Sequence, residues 1–291
     1  MGCPASLERT HRVTVRGDVL LVVRHDWEAA LPLDALLAGA PLVEWGAPVS
    51  HDLAGRDRVE VLATPRGEIV AKRLSRGGVL GGLCRHTYFD RWRPAREAAL
   101  AENLAARGCA TPPVAVARAL RRGCGWQLDL ATARVAGARD LLDALQRALG
   151  PDGSPGTAGQ LAGRAGRTVR RLHDAGLRHR DLQLKNLLVP ADADAAADLV
   201  VLDLDRCRLD GTLGLDQRLD SLARLGRSTA KAGLLDGAAA GGLGPADVVR
   251  FFRGYGALAG LGVGALRRRV DRRLARSLAA RRRPRVDPRD R

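Results

Sequence analysis

Residues 169–189 read VRRLHDAGLRHRDLQLKNLLV, and the organisation of the chain follows from them. Apolar positions at Val169 and Leu172 belong to a helix that stops at Gly176, in line with glycine's preference for helix ends. A short basic turn leads into His179-Arg180-Asp181-Leu182, and Asn186 follows just before the strand-like run Leu187-Leu188-Val189. The pattern predicts a functional loop held between a helix and a strand.

The spacing has a chemical reason. Transfer of a phosphoryl group from ATP needs a carboxylate to accept or orient the proton of the attacking hydroxyl, and an amide oxygen a few residues on to reach magnesium at the phosphates. Asp181 and Asn186 supply those two groups at the H-R-D-L-x-x-x-N spacing. A second magnesium ligand should follow on the next hairpin, and Leu199-Val200-Val201-Leu202 runs directly into Asp203-Leu204-Asp205-Arg206. In a chain this rich in arginine an isolated His-Arg-Asp would mean little. The weight lies in the whole set: LHxxG, HRD, the Asn five residues on, and a strand-borne Asp after it.

These residues resemble the protein-kinase-like fold and, within it, the bacterial lipopolysaccharide kinases that phosphorylate inner-core Kdo (3-deoxy-D-manno-octulosonic acid) or heptose. Gln183 stands where serine/threonine kinases generally carry a lysine, no A-P-E follows Asp203, and Asp203-Leu204-Asp205-Arg206 is similar to the D-F-D-R of the Kdo kinases. The resemblance runs from about residue 55 to about residue 255. It implies an α+β, bilobed fold: a small sheet-based lobe over 1–132 with an N-terminal extension, a mostly helical lobe over 133–263, and an arginine-rich helix or tail over 264–291. It also implies ATP and Mg2+, with a sugar hydroxyl as acceptor. An aminoglycoside-type phosphotransferase or a protein-kinase-like enzyme is the alternative; the former usually carries H-x-D rather than H-R-D in its loop. A pseudokinase is disfavoured because every polar catalytic position is filled.

Mapped onto this chain, the resemblance makes Asp181 the residue that orients and deprotonates the acceptor. Asn186 and Asp203 become the metal ligands, while His179 and Arg180 hold the loop. Asp205 is either a third carboxylate near the metal or a structural cap. Upstream, 59–72 reads as a hairpin with a Pro65-Arg66-Gly67 turn, ending in Val70-Ala71-Lys72 much as V-A-I-K does in kinases. Lys72 is then the phosphate-binding lysine. Its partner is expected on the following helix, 94–108, where Glu97 is favoured over its competitor Glu102. The backbone of Ala133-Arg134-Val135 is the expected adenine contact. A glycine-rich phosphate loop is missing, since 50–56 holds only Gly55, and Arg76-Gly77-Gly78 resembles a stretch of the Kdo kinases.

Composition narrows the remaining classes. The chain has 291 residues and 46% hydrophobic residues, enough for one large domain or two lobes. No apolar run approaches the ~20 residues that span a bilayer, and no signal peptide opens the sequence, so a cytoplasmic location is expected, peripheral on the inner membrane if the tail anchors there. Five cysteines without C-x-x-C pairs read as incidental thiols, and the match of Met1–Ser6 to a myristoylation pattern reads as chance. Of 48 basic residues only Lys72, Lys185 and Lys231 are lysines, which hints that Lys72 requires a compact ammonium. Nucleic acid is disfavoured as a partner, because aromatic residues are 3% and lie apart from the arginine-rich tail.

Two strands joined at Gly17-Asp18 are predicted over 11–23, and a short helix over 27–37. At the other end, residues 267–291 carry twelve arginines against three aspartates, a net of +9 out of +16. Leu266, Val270, Leu274 and Leu278 recur every fourth residue. On a helix they form a stripe suited either to the acyl boundary of an anionic membrane surface or to packing on the helical lobe.

Overall fold

The computed structural model describes residues 4, 7–42, 59–75, 86–191, 197–237, 241–258 and 260–282. The expected phosphate turn at 50–56, Arg76-Gly77-Gly78 and the end of the arginine tail lie outside the described residues. The chain forms two compact units, Met1–Ala136 and Gly137–Arg291.

The first unit is a six-stranded antiparallel sheet in the order β1-β2-β5-β6-β4-β3, with β1 His11–Arg16, β2 Val19–Arg24, β3 Val59–Thr64, β4 Gly67–Arg73, β5 Val114–Arg122 and β6 Gly125–Ala133. Two-residue loops close its hairpins. In the first, Gly17 supplies the positive φ (55°) that a tight hairpin turn requires. The run Val19-Leu20-Leu21-Val22-Val23 is buried at every position, so both faces of β2 are covered. Val19, Leu21 and Val23 join Trp27, Leu36, Leu42, Ile69 and Ala131 in the core on one face. Arg24 shares the opposite face with Leu20 and Val22, and there it meets Glu102 of helix α2 (Arg93–Ala106) at 2.9 Å.

The helix expected over 27–37 is in fact two pieces, a 3-10 turn His25–Ala30 and α1 Leu33–Leu37. Pro32 is the reason: its ring forces Leu31 into an extended conformation (φ −123°, ψ 144°) that no continuous helix allows.

The second unit is mainly helical. It contains β7 Arg139–Asp140, α3 Leu141–Leu149, α4 Thr157–Asp174, β8 Leu177–Arg178, β9 Leu187–Val189, β10 Val200–Val201, β11 Arg208–Leu209, α5 Leu215–Lys231, α6 Pro245–Tyr255 and α7 Val263–Arg282. Its short strands form two small sheets, β10-β9-β7 and β11-β8. Helices α4 and α6 approach at backbone distance: a Cβ on Gly166 would lie 2.1 Å from the Phe251 carbonyl oxygen. Glycine inside a helix costs about 1 kcal/mol relative to alanine, and here the close α4–α6 contact offsets that cost.

Helix α7 corrects the picture of an apolar stripe offered whole to lipid. Leu266 and Val270 are buried and Leu274 packs on Gly226 of α5, so only Leu278, 36% exposed, faces outward. The stripe covers the helical unit, where packing removes Leu266 and Val270 from water.

Candidate active site

The loop expected from the sequence is built in the second unit by a chain of backbone constraints. Helix α4 ends at Asp174, and Gly176 takes φ +83°. Its carbonyl accepts from the Asp210 N–H at 2.9 Å, and β8 then pairs with β11, Leu177 opposite Leu209. A Cβ on Gly176 would lie 2.0 Å from the Asp210 carbonyl oxygen, so only glycine fits.

His179 follows and is buried. Its Nε2 donates to the Leu202 carbonyl at 3.0 Å, and its Nδ1 accepts from the Asp181 N–H at 3.2 Å. One neutral tautomer satisfies both bonds, and burial keeps the ring neutral by pulling its pKa below the usual imidazole value, against the opposing pull of the Leu202 carbonyl and the nearby Asp203 and Asp181 carboxylates. The histidine therefore ties the loop to the strand that delivers Asp203. Arg224 of α5 adds a bond to the His179 carbonyl at 3.2 Å. Arg180, expected to help hold the loop, does not: it is exposed, with no hydrogen bond or ion pair among the described residues. Arg224 does that work from a helix 44 residues further on, a separation that no local pattern reveals.

Asp181 is exposed, and its carboxylate accepts from Gln183 Nε2 at 2.8 Å. Asn186 donates its amide Nδ2 to the Asp181 carbonyl at 2.8 Å. An amide nitrogen used in this way leaves the amide oxygen available as an acceptor or metal ligand. The antiparallel β9–β10 pair sets Val201 opposite Leu187, and Leu202 N–H donates to the Asn186 carbonyl at 2.9 Å, so Asp203 begins one residue beyond Asn186's partner.

Asp203 and Arg206 both have φ near +57°, and they are the only non-glycine residues with positive φ among the described residues. Each such residue costs of order 1–3 kcal/mol, and strain of that kind is typical of functional turns. Asp205 lies 3.7 Å from the Arg206 guanidinium. Amide and carboxylate oxygens are hard donors of the type magnesium takes, two from protein with phosphate and water completing the shell, so Asn186 and Asp203 fit that ion. No cluster of three or more His, Cys, Asp or Glu suited to a metal exists among the described residues.

In the first unit, β4 carries Lys72 and α2 carries Glu97, and the structure brings them together at 3.4 Å. Glu97 is buried, whereas the competitor Glu102 is taken by Arg24. Of the expected adenine-contacting stretch, Ala133 N–H is spent on the Pro113 carbonyl and Arg134 N–H on the Glu68 carbonyl, both at 2.9 Å. Val135 N–H makes no such bond among the described residues, which leaves it as the donor available from this segment.

Two buried networks were not legible in the sequence. Arg118 and Asp129 are cross-strand partners on β5 and β6, fully buried and paired at 2.6 Å, with Arg73 adding a second bond to Asp129 at 3.1 Å. Beneath the loop, His173 bonds Tyr255 Oη at 2.9 Å, and Arg218 grips the end of α4 through Asp174 at 2.7 Å and the His173 carbonyl at 3.4 Å. Burial drives the His173 pKa down to about 3 and pushes Tyr255 up.

A lysine–glutamate pair on an antiparallel sheet unit, with an HRD loop and a strained strand-end aspartate on a helical unit, defines the protein-kinase-like class. The chain belongs to the lipopolysaccharide kinase (Kdo/WaaP) family, whose model matches residues 46–255. It is 36% identical over 160 residues to a 3-deoxy-D-manno-octulosonic acid kinase of Photobacterium profundum, covering 54% of this chain and 62% of that protein. A protein of the same name from Vibrio vulnificus is 29% identical over 178 residues, covering 60% of this chain and 70% of the relative. This chain thus matches a little under two thirds of the first relative's length. Among solved structures, WaaP in complex with acyl carrier protein is similar in fold, with TM-score 0.55 and 21% identity over 88% of this chain and 98% of that one.

Proposed function

We propose that this chain is an ATP- and Mg2+-dependent kinase that phosphorylates a sugar hydroxyl of the lipopolysaccharide inner core, on Kdo or heptose. The observation that carries the reading is the Asn186 amide, fixed by the Asp181 carbonyl so that its oxygen is free, one strand pairing away from Asp203. Family membership and the names of its relatives supply the acceptor class.

Asp181, exposed and steadied by Gln183, orients the acceptor hydroxyl and takes its proton. Lys72, braced by Glu97, binds the α- and β-phosphates of ATP, and the backbone near Ala133 and Val135 meets adenine. Asn186 and Asp203 hold magnesium, which when bound neutralises charge on the transferring phosphoryl group. His179 takes no proton; being buried and neutral, it keeps Asp181 and Asp203 in register.

The test is incubation of purified protein with Mg-ATP and a Kdo-bearing lipid A precursor, followed by mass spectrometry for one added phosphate. Asp181→Asn should lower turnover by roughly 10²–10⁴-fold, as expected for loss of a general base, while nucleotide binding persists. Asp203→Asn should nearly abolish transfer in a folded protein. Wild-type-like turnover in either variant sinks the assignment.

The same reading sets the enzyme at the cytoplasmic face of the inner membrane, beside a lipid-linked acceptor. No helix of the described residues is long and apolar enough to cross a membrane. Contact would come from Arg268, Arg272 and Arg276, which repeat every fourth residue on the exposed side of α7. Deleting α7 would uncover Leu266 and Val270 in the core, so replacing these three arginines with glutamine is the cleaner test. Loss of binding to anionic vesicles is expected, and unchanged binding refutes the contact.

A further inference from the structure

The ribbon that leads into the His179 loop carries an arrangement that folding alone does not favour. In the β8–β11 pair Leu177 stands opposite Leu209, and Arg178 stands directly opposite Arg208. Leu177 is buried whereas both arginines are exposed, so strand alternation turns the two guanidinium groups to the outer side together. Like charges at directly opposed positions destabilise an antiparallel pair. Arg180 adds a third exposed guanidinium two residues on, next to Asp181.

None of the three is compensated. Among the described residues no carboxylate comes within ion-pair distance of Arg178, Arg180 or Arg208, and their side chains make no hydrogen bond. Asp210 follows Arg208 by two residues, yet it pairs with neither opposed arginine. Other arginines nearby are matched: Arg170 and Arg218 hold Asp174 at 2.6 and 2.7 Å, and Arg206 lies 3.7 Å from Asp205. A lone solvated arginine needs no explanation. Two arginines fixed in opposition repel each other, and a bound anion is what relieves that repulsion.

Guanidinium forks suit planar oxyanions, which they grip through paired N–H donors. In the kinase reading the phosphates of ATP are met by Lys72 and by magnesium at Asn186 and Asp203, so the anion left for these arginines belongs to the acceptor. Arg178 precedes Asp181 by three residues, a span of at most about 10 Å of chain. One sugar can therefore offer a hydroxyl to Asp181 and an acid group to the arginines. We propose that Arg178 and Arg208, with Arg180, bind the carboxylate of an acidic sugar acceptor. The proposal rests on the kinase reading of the loop and narrows its acceptor, because Kdo carries a carboxylate that a heptose lacks.

The test measures binding and transfer separately on the full chain. The probes are the methyl glycoside of Kdo as its free acid and as its neutral carboxamide, titrated calorimetrically without nucleotide. Wild type is compared with Arg178→Gln, Arg208→Gln, the double variant and the control Arg253→Gln, an exposed arginine of α6 that also lacks a partner among the described residues. Wild type should bind the acid at least roughly tenfold more tightly than the amide, and each single variant should lose about tenfold for the acid, the low end for hydrogen bonds to a charged group. The double variant should bind both probes alike, Arg253→Gln should match wild type, and Arg208→Lys should keep more of the preference than Arg208→Gln. Arg178→Gln should unfold in urea no earlier than wild type, since it removes a like-charge opposition; an arginine kept for structure would lower the midpoint. With Mg-ATP the loss should fall on KM for the acid. The proposal is overturned if wild type binds the acid no better than the amide, if both single variants keep the preference, or if Arg253→Gln falls as far as the double variant. Acid-selective binding without phosphoryl transfer would uphold the site and sink the kinase reading, and transfer to both probes alike would do the reverse.

Discussion

Substituting Gly176 with alanine tests the link between the end of α4 and the loop. Two costs follow from the geometry. At φ +83° an L-residue pays about 1–2 kcal/mol for the left-handed conformation. The added Cβ also falls 2.0 Å from the Asp210 carbonyl oxygen and 3.2 Å from that of Gly211, both backbone atoms that no side-chain rotation can move. Relieving that overlap means shifting β11 away from β8, and overpacking of this kind costs about 1–3 kcal/mol more. Together they predict a loss of about 2–5 kcal/mol, a factor of roughly 30 to several thousand in the folding equilibrium. Gly108→Ala is the internal reference, because Gly108 also has positive φ (72°) but nothing within 4 Å of its Cβ position. Urea denaturation of both variants separates the costs: Gly108→Ala pays only for conformation, and Gly176→Ala pays for conformation and clash. Activity should fall as well, since the β8–β11 pair precedes His179 by one residue. Equal midpoints for the two variants would refute the argument that close approach, rather than φ alone, requires glycine at 176.

Further tests address separate parts of the molecule. Lys72→Arg keeps the charge but replaces a compact ammonium with a planar fork beside Glu97, and phosphoryl transfer should drop at least roughly tenfold; undiminished activity would move phosphate binding elsewhere. Asp129→Asn strips the charge partner from the buried Arg118, which should cost about 3–5 kcal/mol in denaturation, and a loss under 1 kcal/mol would show the pair to be solvated. His173 gives a pH signature: unfolded it binds a proton near 6.5, folded only near 3, so its contribution is full above 6.5 and is lost as pH falls toward 3. The slope is about 1.4 kcal/mol per pH unit in that window. His173→Gln should flatten it, and an unchanged slope would assign the acid sensitivity to other groups.

Sequence alone determined the elements whose physics is local. The hairpin at Gly17, the loop from His179 to Asn186 and the strand that ends in Asp203 depend on turn chemistry and on spacing within a few residues, and both are written in the order of the chain. Tertiary structure decided what distant segments do to one another. It gave Glu97 to Lys72 and Glu102 to Arg24, although both glutamates stand on the same helix, because β4 and β2 present their cations at different points along α2. It placed the N-terminal hairpin beside β5, and so made Arg118 and Asp129 a buried cross-strand pair that looks in sequence like two ordinary surface charges. It also buried Leu266 and Val270 of α7 and set Leu274 against Gly226 of α5. A four-residue repeat states that a helix has an apolar face; what covers that face is settled only by the packing of the rest of the chain.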